Sequence, residues 1–63
     1  MLQIKAIRKE KGITAAELAR RVHTTPVSIS RYETGKRKPT IIKAAEIAAA
    51  LGVTIDELIG KAG

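Results

Sequence analysis

Apolar residues recur along this chain at intervals of three and four, in short runs broken by glycine, threonine and proline, and that spacing predicts helices. No stretch alternates apolar and polar residues as a half-buried strand would, and no solenoid repeat or low-complexity segment is present. The first run predicts a helix from about Leu2 to Lys11. Ile4, Ile7 and the stem of Arg8 share one face, Lys9 and Lys11 suit the end of the helix dipole, and Gly12 stops it. A second helix, about 15–22, opens at Thr14-Ala15-Ala16-Glu17, the pattern of a capping box, with Ile13 and Leu18 at hydrophobic-staple spacing. Ala15, Leu18, Ala19 and Val22 form its expected buried face.

Only His23 and Thr24 separate it from a third helix, about 26–34. Thr25 can cap that helix, and Pro26 can start it where a missing N–H costs nothing. Ile29 and Tyr32 point one way; Val27, Ser30, Arg31 and Thr34 point largely the other. Gly35 ends it, and the basic loop Lys36-Arg37-Lys38-Pro39 follows. Thr40 opens a fourth helix through about Leu51, with Ile41, Ala44, Ile47, Ala48 and Leu51 as its apolar stripe. After Gly52 a second capping box, Thr54 with Glu57, and a Val53–Leu58 staple open a short last helix that ends at Gly60. The expected fold is all-α, a compact five-helix bundle forming one domain over residues 1–63.

Composition sharpens this. With 63 residues and a single aromatic side chain, Tyr32, the core must be thin and aliphatic. The chain has no cysteine, so neither a disulfide nor a thiolate zinc site staples it, and a reducing cytosol suits it. No apolar run approaches the roughly 20 residues of a membrane span, and no signal-peptide pattern opens the chain. Twelve Lys and Arg against six Asp and Glu give a net charge of +6, which favours an anionic partner, nucleic acid first and a lipid surface second.

Two short helices joined by a tight turn, the second capped by Thr-Pro, are the layout of a DNA-reading helix-turn-helix. Arg8-Lys9-Glu10-Lys11-Gly12-Ile13-Thr14, Ala16 to Ala19, Ile29 to Gly35, Pro39, and Ile47-Ala48 through Leu51 to Thr54 together resemble the phage Cro/C1-repressor (Xre-type) family over nearly the whole chain. The resemblance implies a lambda-repressor-like five-helix bundle whose third helix enters the major groove, with phosphates held by loops flanking helices two and four. It also implies an ion pair between Arg8 and Glu33, tying helix one to the end of helix three; the alternative is two independent surface charges. Three departures stand out: His23 where the family usually has glycine, Ala44 where it often has a large aliphatic residue, and Pro26-Val27 where many relatives place polar base readers.

Candidate base contacts are therefore Thr25, Pro26, Val27, Ser30 and Arg31. Arg31 suits guanine, to which arginine donates two parallel hydrogen bonds; a phosphate contact is its alternative. Val27 suits a thymine methyl group or, equally, packing on the turn. Candidate phosphate contacts are Thr14, Ala15, Thr34, Lys36, Arg37, Lys38 and Thr40. Thr14 and Thr40 are caps first, but a helix N-terminus also binds phosphate. His23 is expected at positive φ in the turn and not as a metal ligand, since no second His or Cys exists.

The expected function is sequence-specific binding of double-stranded DNA as a transcription regulator, a repressor in the bacterial or phage-type host cytosol, associated with the nucleoid. A homodimer on DNA that associates weakly alone is expected, with Ile42, Ala49 and either Leu58 or Ile59 facing the partner. The rival reading is an antitoxin that binds both its toxin and its operator, although three residues beyond Gly60 leave little room for a toxin-binding arm. An enzyme is disfavoured: one histidine, scattered carboxylates and no phosphate loop supply neither nucleophile nor acid–base pair. No cofactor, metal, membrane or small-molecule ligand is expected.

Overall fold

Four threonines decide where helices begin. Thr14, Thr25, Thr40 and Thr54 each hold an extended backbone, and each side-chain oxygen accepts a hydrogen bond from the N–H three residues on, at 3.0–3.1 Å. Each satisfies an N–H that the helix itself leaves without a partner. The computed structural model describes residues 2–60. In chain order it contains α1 (Ile4–Glu10), α2 (Ala15–Arg21), α3 (Pro26–Thr34), α4 (Ile41–Leu51) and α5 (Ile55–Ile59), with no strand among the described residues. This is the all-α, five-helix bundle expected from the sequence. Met1 and residues 61–63, which the expected 1–63 domain and the toxin-arm argument both include, lie outside the described residues.

All five helices feed one core of Ile4, Leu18, Ala19, Val22, Ile29, Tyr32, Ile47, Ala48, Leu51 and Leu58. Fully burying one such large aliphatic side chain is worth about 1.5–3 kcal/mol, so a core of this size rests on few members. Polar ties close the bundle. Lys43 of α4 donates from Nζ to the Val22 carbonyl at the end of α2, 2.8 Å away, and also pairs with Glu46. Arg21 of α2 donates to the Ala50 carbonyl near the end of α4 at 3.3 Å. The N–H of Gln3 donates to the Leu58 carbonyl at 2.7 Å, so the strap before α1 is fastened to α5. Gly60 lies beneath it: a Cβ there would meet Gln3 Cγ at 2.8 Å, on a backbone already at φ +74°.

Three expectations need correcting. Helix α1 starts at Ile4 and not Leu2, because Gln3 is committed to Leu58 and does not take helical angles. Glu17 does not complete a capping box; its carboxylate turns along the helix to Arg20 and to Arg21, two nearby cations that outcompete one backbone N–H. Only Thr54 and Glu57 form the full reciprocal box. Ile41 is not on the buried stripe of α4 but 84% exposed, since it is the first helical residue and no core element reaches past it. Of the adjacent pair Leu58 and Ile59, Leu58 is wholly buried and Ile59 exposed, as expected of a helix that cannot bury both, and Ile42 and Ala49 are exposed with Ile59.

Candidate nucleic-acid interface

The turn between α2 and α3 fixes how α3 is presented. Val22 closes α2 with its side chain in the core, and His23 then takes φ +56°, the left-handed conformation expected of it. The chain reverses, and the Thr24 N–H returns to the Ala19 carbonyl at 2.8 Å. From there Ile29 and Tyr32 anchor α3 in the core, so the opposite face must be exposed. Pro26, Val27, Ser30, Arg31 and Thr34 are all exposed on it.

Hydrogen-bond accounting divides that face. The Thr25 hydroxyl accepts from the Ser28 N–H and donates to Ser28 Oγ, both at 3.1 Å. Thr34 Oγ1 donates to the Arg31 carbonyl at 3.4 Å. Pro26 has no N–H. Among the described residues, Ser30 and the Arg31 guanidinium make no side-chain hydrogen bond or ion pair, and they are the free polar groups of the face. Val27, 59% exposed, stands one turn before Arg31 and is the face's large apolar group.

Electrostatics favour an anion on this side. From His23 to Thr40 the only carboxylate is Glu33, against Arg31, Lys36, Arg37 and Lys38. Glu33 is itself neutralised: Arg8 Nε donates to its Oε2 at 2.8 Å, and Arg8 Nη1 also donates to the Ile13 carbonyl at 3.0 Å. Lys36 and Lys38 are exposed and free of carboxylates among the described residues. Arg37 is placed differently. Its guanidinium lies over the Tyr32 ring, 6.0 Å from the centroid, and its N–H donates to the Arg31 carbonyl at 3.2 Å. It folds the loop back onto the end of α3. Thr14 and Ala15 start α2 and Thr40 starts α4; Thr14 and Thr40 are exposed, whereas Ala15 is half-buried against the core.

The side chains that sequence reasoning missed are the ones bridging elements: Lys43, Arg21 and the stacked position of Arg37. Lys43 and Arg21 carry a sequence signal, the three- and four-residue spacings from Glu46 and Glu17, but neither spacing points to the carbonyl that the cation also holds. Among the described residues no three His, Asp or Glu side chains gather in a group able to hold a metal, and no helix is long and apolar enough to cross a membrane.

Comparison with known proteins agrees with this geometry. The chain is 42% identical over 53 residues to the uncharacterised HTH-type transcriptional regulator y4dJ of Sinorhizobium fredii, covering 84% of this chain and 69% of that one. It is 47% identical over 49 residues to an HTH-type transcriptional regulator of Methanothermobacter thermautotrophicus, covering 78% and 71%. The P22 c2 repressor, solved in complex with synthetic operator 9T, superimposes with a TM-score of 0.84 at 30% identity over 90% of this chain and 86% of that one. The clp gene regulator ClgR of C. glutamicum superimposes with a TM-score of 0.86 at 27% identity, over 89% and 72%. A helix-turn-helix family model matches residues 4–58, from the first turn of α1 to the last buried leucine of α5, and the chain belongs to the Cro/C1-type helix-turn-helix family.

Proposed function

We propose that this chain binds duplex DNA sequence-specifically as a transcription regulator, with α3 in the major groove. The observation that carries this reading is the exposed face of α3, where Val27, Ser30 and Arg31 stand free on a helix anchored from behind by Ile29 and Tyr32. An α-helix fits the major groove, and base edges are distinguishable there. Lys36 and Lys38 beyond α3, with the N-termini of α2 at Thr14 and Ala15 and of α4 at Thr40, supply phosphate contacts on either side. Two HTH-type transcriptional regulators and an operator-bound repressor among its relatives favour the same activity, and the last favours repression.

The regulator acts as a homodimer on DNA. A groove of about 260 Å³ runs directly behind the basic loop, lined by Leu2, Pro39, Ile41, Ile55 and Ile59. Lys38 also lines it, so a second copy seated there would lie beside the basic loop. Half-sites would then lie about one helical turn, roughly 10–10.5 bp, apart.

The test is selection of bound duplexes from a random pool, followed by titration of the enriched site across salt. A shared motif and a falling log–log plot of affinity against salt are expected, since each neutralised phosphate releases counterions. A pool with no enriched motif, or affinity indifferent to salt, overturns the reading. Sedimentation with a two-half-site duplex should show two proteins per duplex; one at saturation overturns the dimer.

A further inference from the structure

The carbonyl of Val22 is the last before the left-handed residue of the turn, His23 at φ +56°. Among the described residues no backbone N–H donates to it. The residue four places on, whose N–H a continuing helix would supply, is Pro26, which has none. Lys43 of α4 supplies the missing donor, with Nζ 2.8 Å from the Val22 oxygen. That contact crosses 21 residues of chain and ties the turn to a helix outside the α2–α3 unit.

Lys43 sits against the grain of its own helix. It is the third residue of α4, and its N–H is the one that the Thr40 cap satisfies. This first turn is the positive end of the helix dipole, where a carboxylate is favoured and a cation is not. The ammonium leaves that field for the end of α2, where carbonyls without helical partners favour positive charge. Glu46, one turn on at 2.8 Å, takes a second of its three donors and steadies it there. A residue that breaks a local rule marks a position with another task. Arg21 gives the contrast. It stands in the last turn of α2, where a cation suits the dipole, and reaches the other way, to the Ala50 carbonyl at 3.3 Å. Both ties join α2 to α4, but only Lys43 holds the backbone of the turn.

On the footing that α3 reads the major groove, we propose that Lys43 is a positioning residue for that reading. It touches no base. By fixing the plane of the Val22–His23 peptide it sets the angle at which α3 leaves the turn. Ile29 and Tyr32 anchor α3 in the core without it, so loss of Lys43 tilts the helix and does not release it. Base contacts depend on hydrogen-bond direction and suffer most from a tilt; phosphate contacts position the protein without reading sequence.

The test measures, for variants of the whole chain, the preference for the duplex enriched by selection over a scrambled one. Lys43→Met with Glu46→Gln removes one charge of each sign, so the net charge stays at +6. The preference should fall about tenfold, the worth of one good base contact, with the salt slope unchanged. Should that double variant be unfolded, Lys43→Gln, whose shorter amide can meet the carbonyl through a water, takes its place with the same expected fall. Lys43→Arg keeps the charge and can donate to the same carbonyl, and it should restore most of the preference. Arg21→Met cuts the other tie between the same two helices and should leave the preference within about twofold of wild type, whatever it does to Tm.

Equal weakening of both duplexes, with the salt slope lowered by about one unit, would make Lys43 a phosphate anchor and overturns the proposal. So does an unchanged preference in a folded Lys43 variant, or an equal fall in Arg21→Met, which would reduce the tie to general stability. Failure of DNA reading itself is distinct from all of these, since it appears earlier, as a pool with no enriched motif.

Discussion

Arg8 and Glu33 stand 25 residues apart in the chain and meet through a 2.8 Å hydrogen bond between side chains only 12% and 9% exposed. The same guanidinium holds the Ile13 carbonyl, so one arginine joins α1, the loop after it and the end of α3. A pair this shielded differs from a surface ion pair, whose worth is about 0–1 kcal/mol. Removing one partner leaves the other charged and largely out of water. Arg8→Ala or Glu33→Ala should each cost about 2–4 kcal/mol by urea unfolding. Replacing both by apolar residues, as in Arg8→Met with Glu33→Leu, should recover more than half of that loss. Single-variant costs below about 0.5 kcal/mol would reduce the pair to two solvated charges.

His23 carries the turn at φ +56° without being glycine. A side chain in the left-handed region costs on the order of 1 kcal/mol, and His23 is exposed, so its imidazole contributes no packing to offset that. His23→Gly gains backbone freedom in the unfolded chain, which opposes the relief. The expected outcome is unchanged stability or a gain below about 1 kcal/mol, read as a rise of a few degrees in Tm. A loss above 1 kcal/mol would mean that the imidazole does something else in the turn.

These residues also mark how far the sequence could be read. Caps, stops and the turn were legible because each is a local rule: Thr14, Thr25, Thr40 and Thr54 precede helical patterns, and His23 sits between two of them with no room for a longer loop. The inward and outward faces of α3 followed from periodicity, and the structure buries Ile29 and Tyr32 accordingly. What escaped depended on neighbours distant in sequence. Ile41 fits the stripe of α4 by spacing, yet the core ends before it and leaves it in a surface groove. Glu17 fits a capping box, yet Arg20 and Arg21 claim its carboxylate. At the interface, the exposed candidates were legible as a set, but the withdrawal of Thr25, Thr34 and Arg37 into internal contacts needed coordinates.

The last helix has five residues, too few to be stable without its cap and its buried leucine. In its capping box Glu57 accepts from the Thr54 N–H at 3.0 Å, and chiefly this hydrogen bond, then the Thr54 hydroxyl, holds its carboxyl below the ordinary glutamate range. A depressed pKa contributes stability above the unfolded value, and that contribution is lost as pH falls through the folded value. Wild type should therefore exceed Glu57→Gln in Tm at pH 6, with the difference shrinking as the pH drops below about 4.3. Glutamine keeps a neutral oxygen for the same N–H, so the comparison isolates the charge. A difference that stays constant from pH 6 to pH 2 would show that ionisation of Glu57 does not support α5.

Arg31, Lys36, Lys38 and Arg37 are four exposed cations within eight residues, and their surroundings predict three different behaviours on DNA. Arg31 projects from the free face of α3, and with that face in the major groove, as proposed, it would reach base edges. Arg31→Ala should cost about 1–3 kcal/mol on the preferred duplex and much less on a scrambled one. Lys36 and Lys38 lie beyond the end of α3, and in the proposed docking only the DNA backbone would be within their reach. Alanine at either should weaken both duplexes by similar factors and lower the salt slope by about one unit. Arg37 rests over the Tyr32 ring and returns its N–H to the Arg31 carbonyl, so its first task is to shape the loop. Arg37→Ala should lower the salt slope by less than Lys36→Ala while costing about 0.5–1 kcal/mol in folding stability, the range of an exposed cation–π contact. Titrations of all four variants against both duplexes at two salt concentrations, with unfolding curves alongside, separate these roles. Equal weakening of both duplexes by Arg31→Ala would make Arg31 a phosphate anchor and leave sequence reading to Val27, Ser30 and the shape of the DNA.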